Sequence, residues 1–170
     1  MADLIIEDGT GKPDANTYAS LQQARDFASA RGIVVSDDDA VLTKQLIMAA
    51  DFIGTYESKF NGRRSFPQNP QALSFPRDCV YMYGVEMPVA FMPKELIGAQ
   101  VYAAQAIENG IDLFPTQDSA NVTEETVGPL TTKYEIESWT ASSLPIITGL
   151  EKILEPLFGN GGYLWRTVRA

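Results

Sequence analysis

The chain has 170 residues and a mass of 18.6 kDa, with 45% hydrophobic and 21% charged side chains, enough to bury roughly 70% of its unfolded surface around one core without metal or disulfide staples. Thirteen Lys and Arg face 22 Asp and Glu, a formal charge of -9, so the chain as a whole repels phosphate at long range and generic nucleic-acid binding is disfavoured. Histidine is missing altogether, which removes Ser-His and Cys-His nucleophile systems, imidazole general bases and His-containing metal sites; the expectation is a protein that is not an enzyme and carries no cofactor or metal.

At the amino terminus only Leu4 to Ile6 are consecutively apolar before Glu7 and Asp8, unlike the basic start and long apolar stretch of a signal peptide. Nowhere do 18 apolar residues run together, so no membrane contact and a cytoplasmic product are expected, and the sequon Asn121-Val122-Thr123 reads as chance. Leu4 to Ile6 reads as a short strand or arm halted by the turn-forming Asp8-Gly9-Thr10-Gly11-Lys12-Pro13-Asp14. A first helix is expected next, capped by Asn16 or Thr17, with Tyr18, Leu21, Ala24 and Ala28 at helical steps until Gly32.

The second helix has the clearest pattern. Ser36 is its expected cap, Asp37 to Asp39 fill its first turn, and Leu42, Leu46, Ala49, Ile53, Tyr56 and Phe60 form one apolar stripe. The three aspartates compensate the helix dipole rather than bind metal, because consecutive helical residues point about 100° apart. Residues 61–92 break into prolines at 67, 70, 76 and 88 with interspersed Phe, Tyr and Arg, which reads as a packed irregular excursion of the kind that contacts something else. Cys79 within it reads as a half-buried filler.

A third helix begins at Pro93 and runs through Leu96, Ala99, Ala103 and Ala106 to Gly110, its small inner face allowing close packing. Residues 127–139 switch to period two, with Leu130, Thr132, Tyr134 and Ile136 on one side, a strand or hairpin arm. A fourth helix, capped by Ser142 or Ser143 with Pro145 near its start, carries Ile146 or Ile147, Leu150, Ile153 or Leu154, and Leu157, until Pro156 and Gly159 end it. Gly159-Asn160-Gly161-Gly162 is a hinge before an apolar and basic tail, Tyr163 to Ala170. The fold class is therefore mainly α: a small bundle of about four helices with a β-strand or hairpin arm, comprising a helical domain over 1–158 and a C-terminal arm over 159–170.

Chemistry-bearing motifs are few. Gly9-Thr10-Gly11-Lys12 is not a phosphate-binding loop, since Ile6 stands where the first glycine belongs and Pro13 follows the lysine; a structural turn is expected. Glu124, Glu125, Glu135 and Glu137 are expected in a polar stretch or on a wet strand face, where the sequence predicts none of the burial that acid-base work requires. One charge anomaly stands out. Lys59, Arg63, Arg64 and Arg77 occur with Phe60, Phe66 and Phe75 and no acidic residue between Ser58 and Arg77. Cations mixed with rings serve single-strand binding and equally serve protein interfaces, where Arg and aromatics make hot spots; four cations in one loop favour the interface.

Glu7-Asp8-Gly9-Thr10-Gly11, Pro13 to Tyr18, Gly62-Arg63-Arg64 leading to Gln71-Ala72-Leu73-Ser74-Phe75-Pro76-Arg77, Val127-Gly128-Pro129 and the closing Arg166 to Ala170 resemble tailed-bacteriophage head-to-tail adaptor proteins, many of which carry the label "putative DnaT-like single-stranded-DNA-binding protein". The resemblance implies a non-catalytic helical subunit of a virion ring, typically twelve copies, beneath the portal protein in the head-tail neck, assembled in the host cytoplasm. Its partners would be the portal, copies of itself, a downstream neck or tail protein, and genomic DNA passing without sequence-specific binding. By this analogy Tyr163, Leu164, Trp165, Arg166, Val168 and Arg169 dock on the portal, while Arg63, Arg64, Phe66, Phe75 and Arg77 form a subunit or portal interface. The rival reading is a replication accessory that binds single-stranded DNA through Arg63, Arg64, Arg77 and the nearby rings.

Overall fold

The alternating four- and three-residue spacing of apolar side chains from Leu42 onward resolves into the central helix of the fold. A computed structural model describes residues 3–66, 70–115, 124–127, 130–133 and 144–159. In chain order its helices are α1 (Leu21–Ser29), α2 (Asp39–Gly54), α3 (Lys94–Glu108) and α4 (Thr148–Leu154). Three two-stranded antiparallel hairpins interleave with them: β1 (Arg63–Arg64) with β2 (Arg77–Asp78), β3 (Tyr81–Met82) with β4 (Val85–Glu86), and β5 (Glu124–Val127) with β6 (Leu130–Lys133). This is a mainly α protein with a strand arm.

Helix α3 is the hub, packing against α1, α2 and α4. Its Ala99, Ala103, Ala104 and Gly98 let the neighbours approach closely: a Cβ on Gly98 would stand 2.8 Å from the Phe27 ring and 2.9 Å from Ile153. The stripe Leu42, Leu46, Ala49, Ile53, Tyr56 and Phe60 is buried throughout, as its spacing predicts. The larger core joins α2, α3 and α4 to the excursion through Phe52, Phe75, Leu96, Leu113, Leu150 and Leu157. The smaller core, Ala24, Ala28, Leu42, Leu46, Val101 and Ala104, seals α1 onto α2 and α3. Each fully buried large side chain contributes about 1.5–3 kcal/mol.

Several boundaries differ from the expectation. α1 starts at Leu21 because Ser20 caps it, accepting from the Gln23 N–H (3.1 Å) while the Gln23 side chain accepts from the Ser20 N–H (2.9 Å). Asn16 and Thr17 are engaged elsewhere. Asn16 accepts from the Ile5 N–H (2.8 Å), and Thr17 Oγ1 accepts from Gln100 (2.8 Å) and donates to the Ala19 carbonyl (2.8 Å). α2 is capped by Asp38, whose carboxylate accepts from Ala40 and Val41, while Ser36 sits two residues too early and accepts from the Asp38 N–H. α2 ends at Gly54; Tyr56 and Phe60 flank a short 3-10 turn, Glu57–Lys59. α4 begins at Thr148, beyond Pro145, and passes into a 3-10 turn, Glu155–Leu157. The expected caps Ser142 and Ser143 lie outside the described residues.

The expected strand over 127–139 is met by a hairpin that begins earlier, with Glu124 opposite Lys133 and Val127 opposite Leu130; residues 134–139 lie outside the described residues. At the amino end, Ile6 bridges Thr17 in parallel, so this stretch lies on the body of the protein rather than apart from it.

The Gly9-Thr10-Gly11-Lys12 turn is organised around a carboxylate from its own chain. Glu7 is buried, with Oε1 accepting from the N–H groups of Gly9 and Gly11 (both 2.9 Å) and Oε2 accepting from that of Lys12 (2.8 Å). Both glycines have positive φ, 96° and 70°, a conformation that costs side-chain-bearing residues dearly. A Cβ on Gly9 would strike the Ala90 carbonyl, and one on Gly11 the Phe66 ring. Asp8 beside it is held down at about 2 by its bond from the Thr10 hydroxyl, then by Lys12.

A candidate interaction surface on the excursion

The excursion is tied to the end of α2 by arginines. Arg77, on β2, is buried. Its Nη1 donates to Glu57 Oε1 (2.6 Å), its Nε to the Asn61 carbonyl (2.9 Å) and its Nη2 to the Gly62 carbonyl (3.0 Å). Arg64 donates to both oxygens of the same Glu57 (3.2 and 3.3 Å) and to the Gln71 carbonyl (2.9 Å). Burial raises the Glu57 pKa, but the bonds from Arg64 and Arg77 outweigh it and hold this carboxyl below the usual glutamate range. Arg63 pairs with Asp78 (3.0 Å), the residue opposite it in the β1–β2 register. Lys59 reaches Glu151 at 3.8 Å and lies over the Tyr56 ring.

The rings are internal as well. Phe75 is buried edge-on against Phe60 with centroids 5.1 Å apart. Phe66 is half-buried over Gly11, its N–H donating to Gln71 (3.3 Å). Of the five residues expected at an interface here, Phe75 and Arg77 are therefore buried as struts of the subunit itself: all three nitrogens of the guanidinium donate to its own chain, and the ring is at 1% exposure. Phe66 offers one edge. Only Arg63 and Arg64 retain exposed side chains, and each already has a carboxylate partner. The tail residues Tyr163, Leu164, Trp165, Arg166, Val168 and Arg169 lie outside the described residues. Cys79 is exposed rather than half-buried, and its φ of 55° places it in the left-handed region.

A different part of the excursion meets solvent. The β3–β4 hairpin turns at Tyr83-Gly84, both with positive φ (51° and 82°), the conformation of a tight turn matched to strand twist. Tyr83 is 84% exposed and Val85 59%, with Tyr81 and Val89 also exposed. Four large apolar residues in nine positions make a patch of the kind that marks an interaction site. The sequence signal for this hairpin is a Tyr-Gly turn between apolar neighbours, weaker than the helical and charge patterns around it.

Among the described residues no group of three or more Cys, Asp or Glu could hold a metal ion, and no helix is long and apolar enough to cross a membrane. Fold and surface together define a small mainly α protein with an apolar hairpin among its exposed features and the cations of the excursion neutralised from within. The chain belongs to the family described as "Putative DnaT-like ssDNA binding protein", whose model matches residues 2–170. Comparison with curated proteins and with solved structures finds no match.

Proposed function

We propose that this protein is a non-catalytic structural adaptor that assembles with copies of itself and with other proteins, and that its setting is the ring beneath the portal that joins a phage head to its tail. The observation that supports this is the contrast within the excursion: Arg63, Arg64 and Arg77 each meet a carboxylate of their own chain, whereas Tyr81, Tyr83, Val85 and Val89 stand in solvent. Neutralised cations grip phosphate weakly, and exposed aromatic and aliphatic anchors fit protein contacts. A channel lined by subunits of charge -9 would let DNA slide past without holding it. The test is electron microscopy of the protein mixed with portal rings. Ordered density in rotational register with the portal is expected, and deletion of residues 160–170 should abolish docking while leaving a folded domain; full occupancy after the deletion refutes the role of the tail.

The family description favours a second reading, a single-stranded-DNA-binding replication accessory. That reading requires a salt-sensitive mobility shift with short oligonucleotides, weakened when Arg63 and Arg64 are both replaced by Ala. Absence of any shift at low ionic strength removes it.

A further inference from the structure

Ten cations have described side chains, and among the described residues seven of them have a carboxylate partner: Lys12, Arg25, Lys59, Arg63, Arg64, Arg77 and Lys152. Two of the remaining three, Arg31 and Lys94, line the same groove, a cleft of about 440 Å³ between α1, α3 and α4. Its floor is apolar, made by Phe27, Ile97, Gly98 and Ile153. Gly98 creates the depth by allowing α3 to approach Phe27 and Ile153. Arg31 stands over the Phe27 ring with its guanidinium carbon 3.6 Å from the centroid, and its Nη1 donates to the Phe27 carbonyl (3.4 Å). Of the acidic residues lining the groove, Asp26 already accepts from Gln22 (2.7 Å), and Glu95 stands in the first turn of α3, where the helix dipole favours it. The volume lies within the range of about 300–1,000 Å³ typical of ligand clefts.

The β3–β4 hairpin has the complementary character. Tyr83 and Val85 project apolar surface, Glu86 follows with an exposed carboxylate whose Oε2 accepts from the Tyr81 hydroxyl (3.1 Å), and a Cβ on Gly84 would meet nothing within 4 Å. No hairpin residue lines the groove. We infer that the hairpin tip of one copy seats in the α1–α3–α4 groove of the next, with Tyr83 and Val85 on the apolar floor and Glu86 toward Lys94 and Arg31. Such a contact joins two different patches, so it propagates in one direction and closes into a ring when the rotation permits. Two chains at -9 each repel, and Arg31 and Lys94, which have no carboxylate partner among the described residues, offer positive charge to an acid-bearing projection. The contact is small against the roughly 800 Å² per partner of a stable interface, so it is concentration-dependent in solution. This inference deepens the self-assembly reading given above and rests on it.

The test places a photoreactive benzoylphenylalanine at position 83 of the full chain and irradiates a mixture of isotopically heavy and light copies. Crosslinks between heavy and light chains are expected within residues 23–31 or 94–98. In the otherwise unaltered chain, Glu86→Lys and Lys94→Glu should each lower self-association at least tenfold by analytical ultracentrifugation, and the two together should restore it to within threefold. Unchanged urea midpoints confirm that the variants fold. Crosslinks to other segments, or charge reversals that do not compensate, overturn the hairpin contact; if portal-bound rings are still seen, the adaptor reading survives that failure. A chain that remains monomeric at every concentration and on the portal overturns both. Crosslinking of position 83 or loss of binding in Lys94→Glu with an oligonucleotide, without contact between copies, also overturns the inference and assigns the groove to nucleic acid.

Discussion

Replacing Glu7 by Ala removes one buried carboxylate that satisfies three backbone donors, those of Gly9, Gly11 and Lys12. A hydrogen bond to a charged group contributes about 1.5–3 kcal/mol, and a buried donor left without a partner costs about 1–3 kcal/mol. Three full bonds would exceed what is expected, because the Lys12 N–H is only part-buried and water can serve it. The expected loss is about 3–5 kcal/mol, a large share of the total stability of a domain. Glu7→Gln separates charge from geometry. Its amide oxygen can still accept from Gly9 and Gly11, but its NH₂ group then faces the Lys12 N–H, donor against donor, so a smaller loss of about 1.5–3 kcal/mol is expected. Urea titration measures both, as a lower midpoint with an unchanged slope. A Glu7→Ala variant within 1 kcal/mol of the unaltered chain, on the scale of an ordinary surface change, refutes the reading of Glu7 as the keystone of this loop, as does Gln costing as much as Ala.

Arg77→Ala should destabilise by about 3–5 kcal/mol, since it leaves Glu57 and the Asn61 and Gly62 carbonyls short of donors, whereas Arg63→Ala, at a pair that is 78% exposed on the arginine side, should leave the midpoint of the same urea titration nearly unchanged. Glu57 has a depressed carboxyl, so its unfolded form binds protons first: its stabilisation is complete above the ordinary glutamate value of 4.5 and fades as pH falls through the lower folded value. Urea midpoints taken from pH 6 down to about pH 3 should fall less steeply in Glu57→Gln than in the unaltered chain, and parallel curves would contradict this. Gly98→Val forces a branched side chain against Phe27 and Ile153 and should cost about 1–3 kcal/mol or more by overpacking, read as a drop of several degrees in Tm by calorimetry.

What the sequence makes visible follows from the range of the forces involved. The stripe from Leu42 to Phe60 is readable because burial repeats with the helix period, and all six residues are buried. Helix α3 is readable for the same reason, with Pro93 at its start and Gly110 just past its end. Caps were displaced where oxygens had distant claims: Thr17 is held by Gln100, 83 residues away, which no local pattern encodes. The arginines of the excursion looked like a free cationic patch because their neutralising partner for two of them, Glu57, comes just before the stretch that lacks acids and meets Arg77 only when the β1–β2 hairpin folds back. Strand β5 is not legible in the sequence because Glu124, Glu125 and Thr126 look like a polar loop until Lys133, Thr132 and Thr131 stand opposite them.

Gln100 is fully buried in the alanine-rich interior of α3, donating to the Thr17 hydroxyl (2.8 Å) and to the Leu46 carbonyl (2.7 Å) and accepting from the Tyr18 N–H (3.1 Å). Smooth methyl-lined surfaces tolerate sliding by a turn with little change in contact, but an amide that needs three separate partners accepts one alignment alone. The side chain thus works as a key: it fixes the stagger between the two longest described rods and latches the amino-terminal lead across both, so that a misaligned pairing would strand a buried amide.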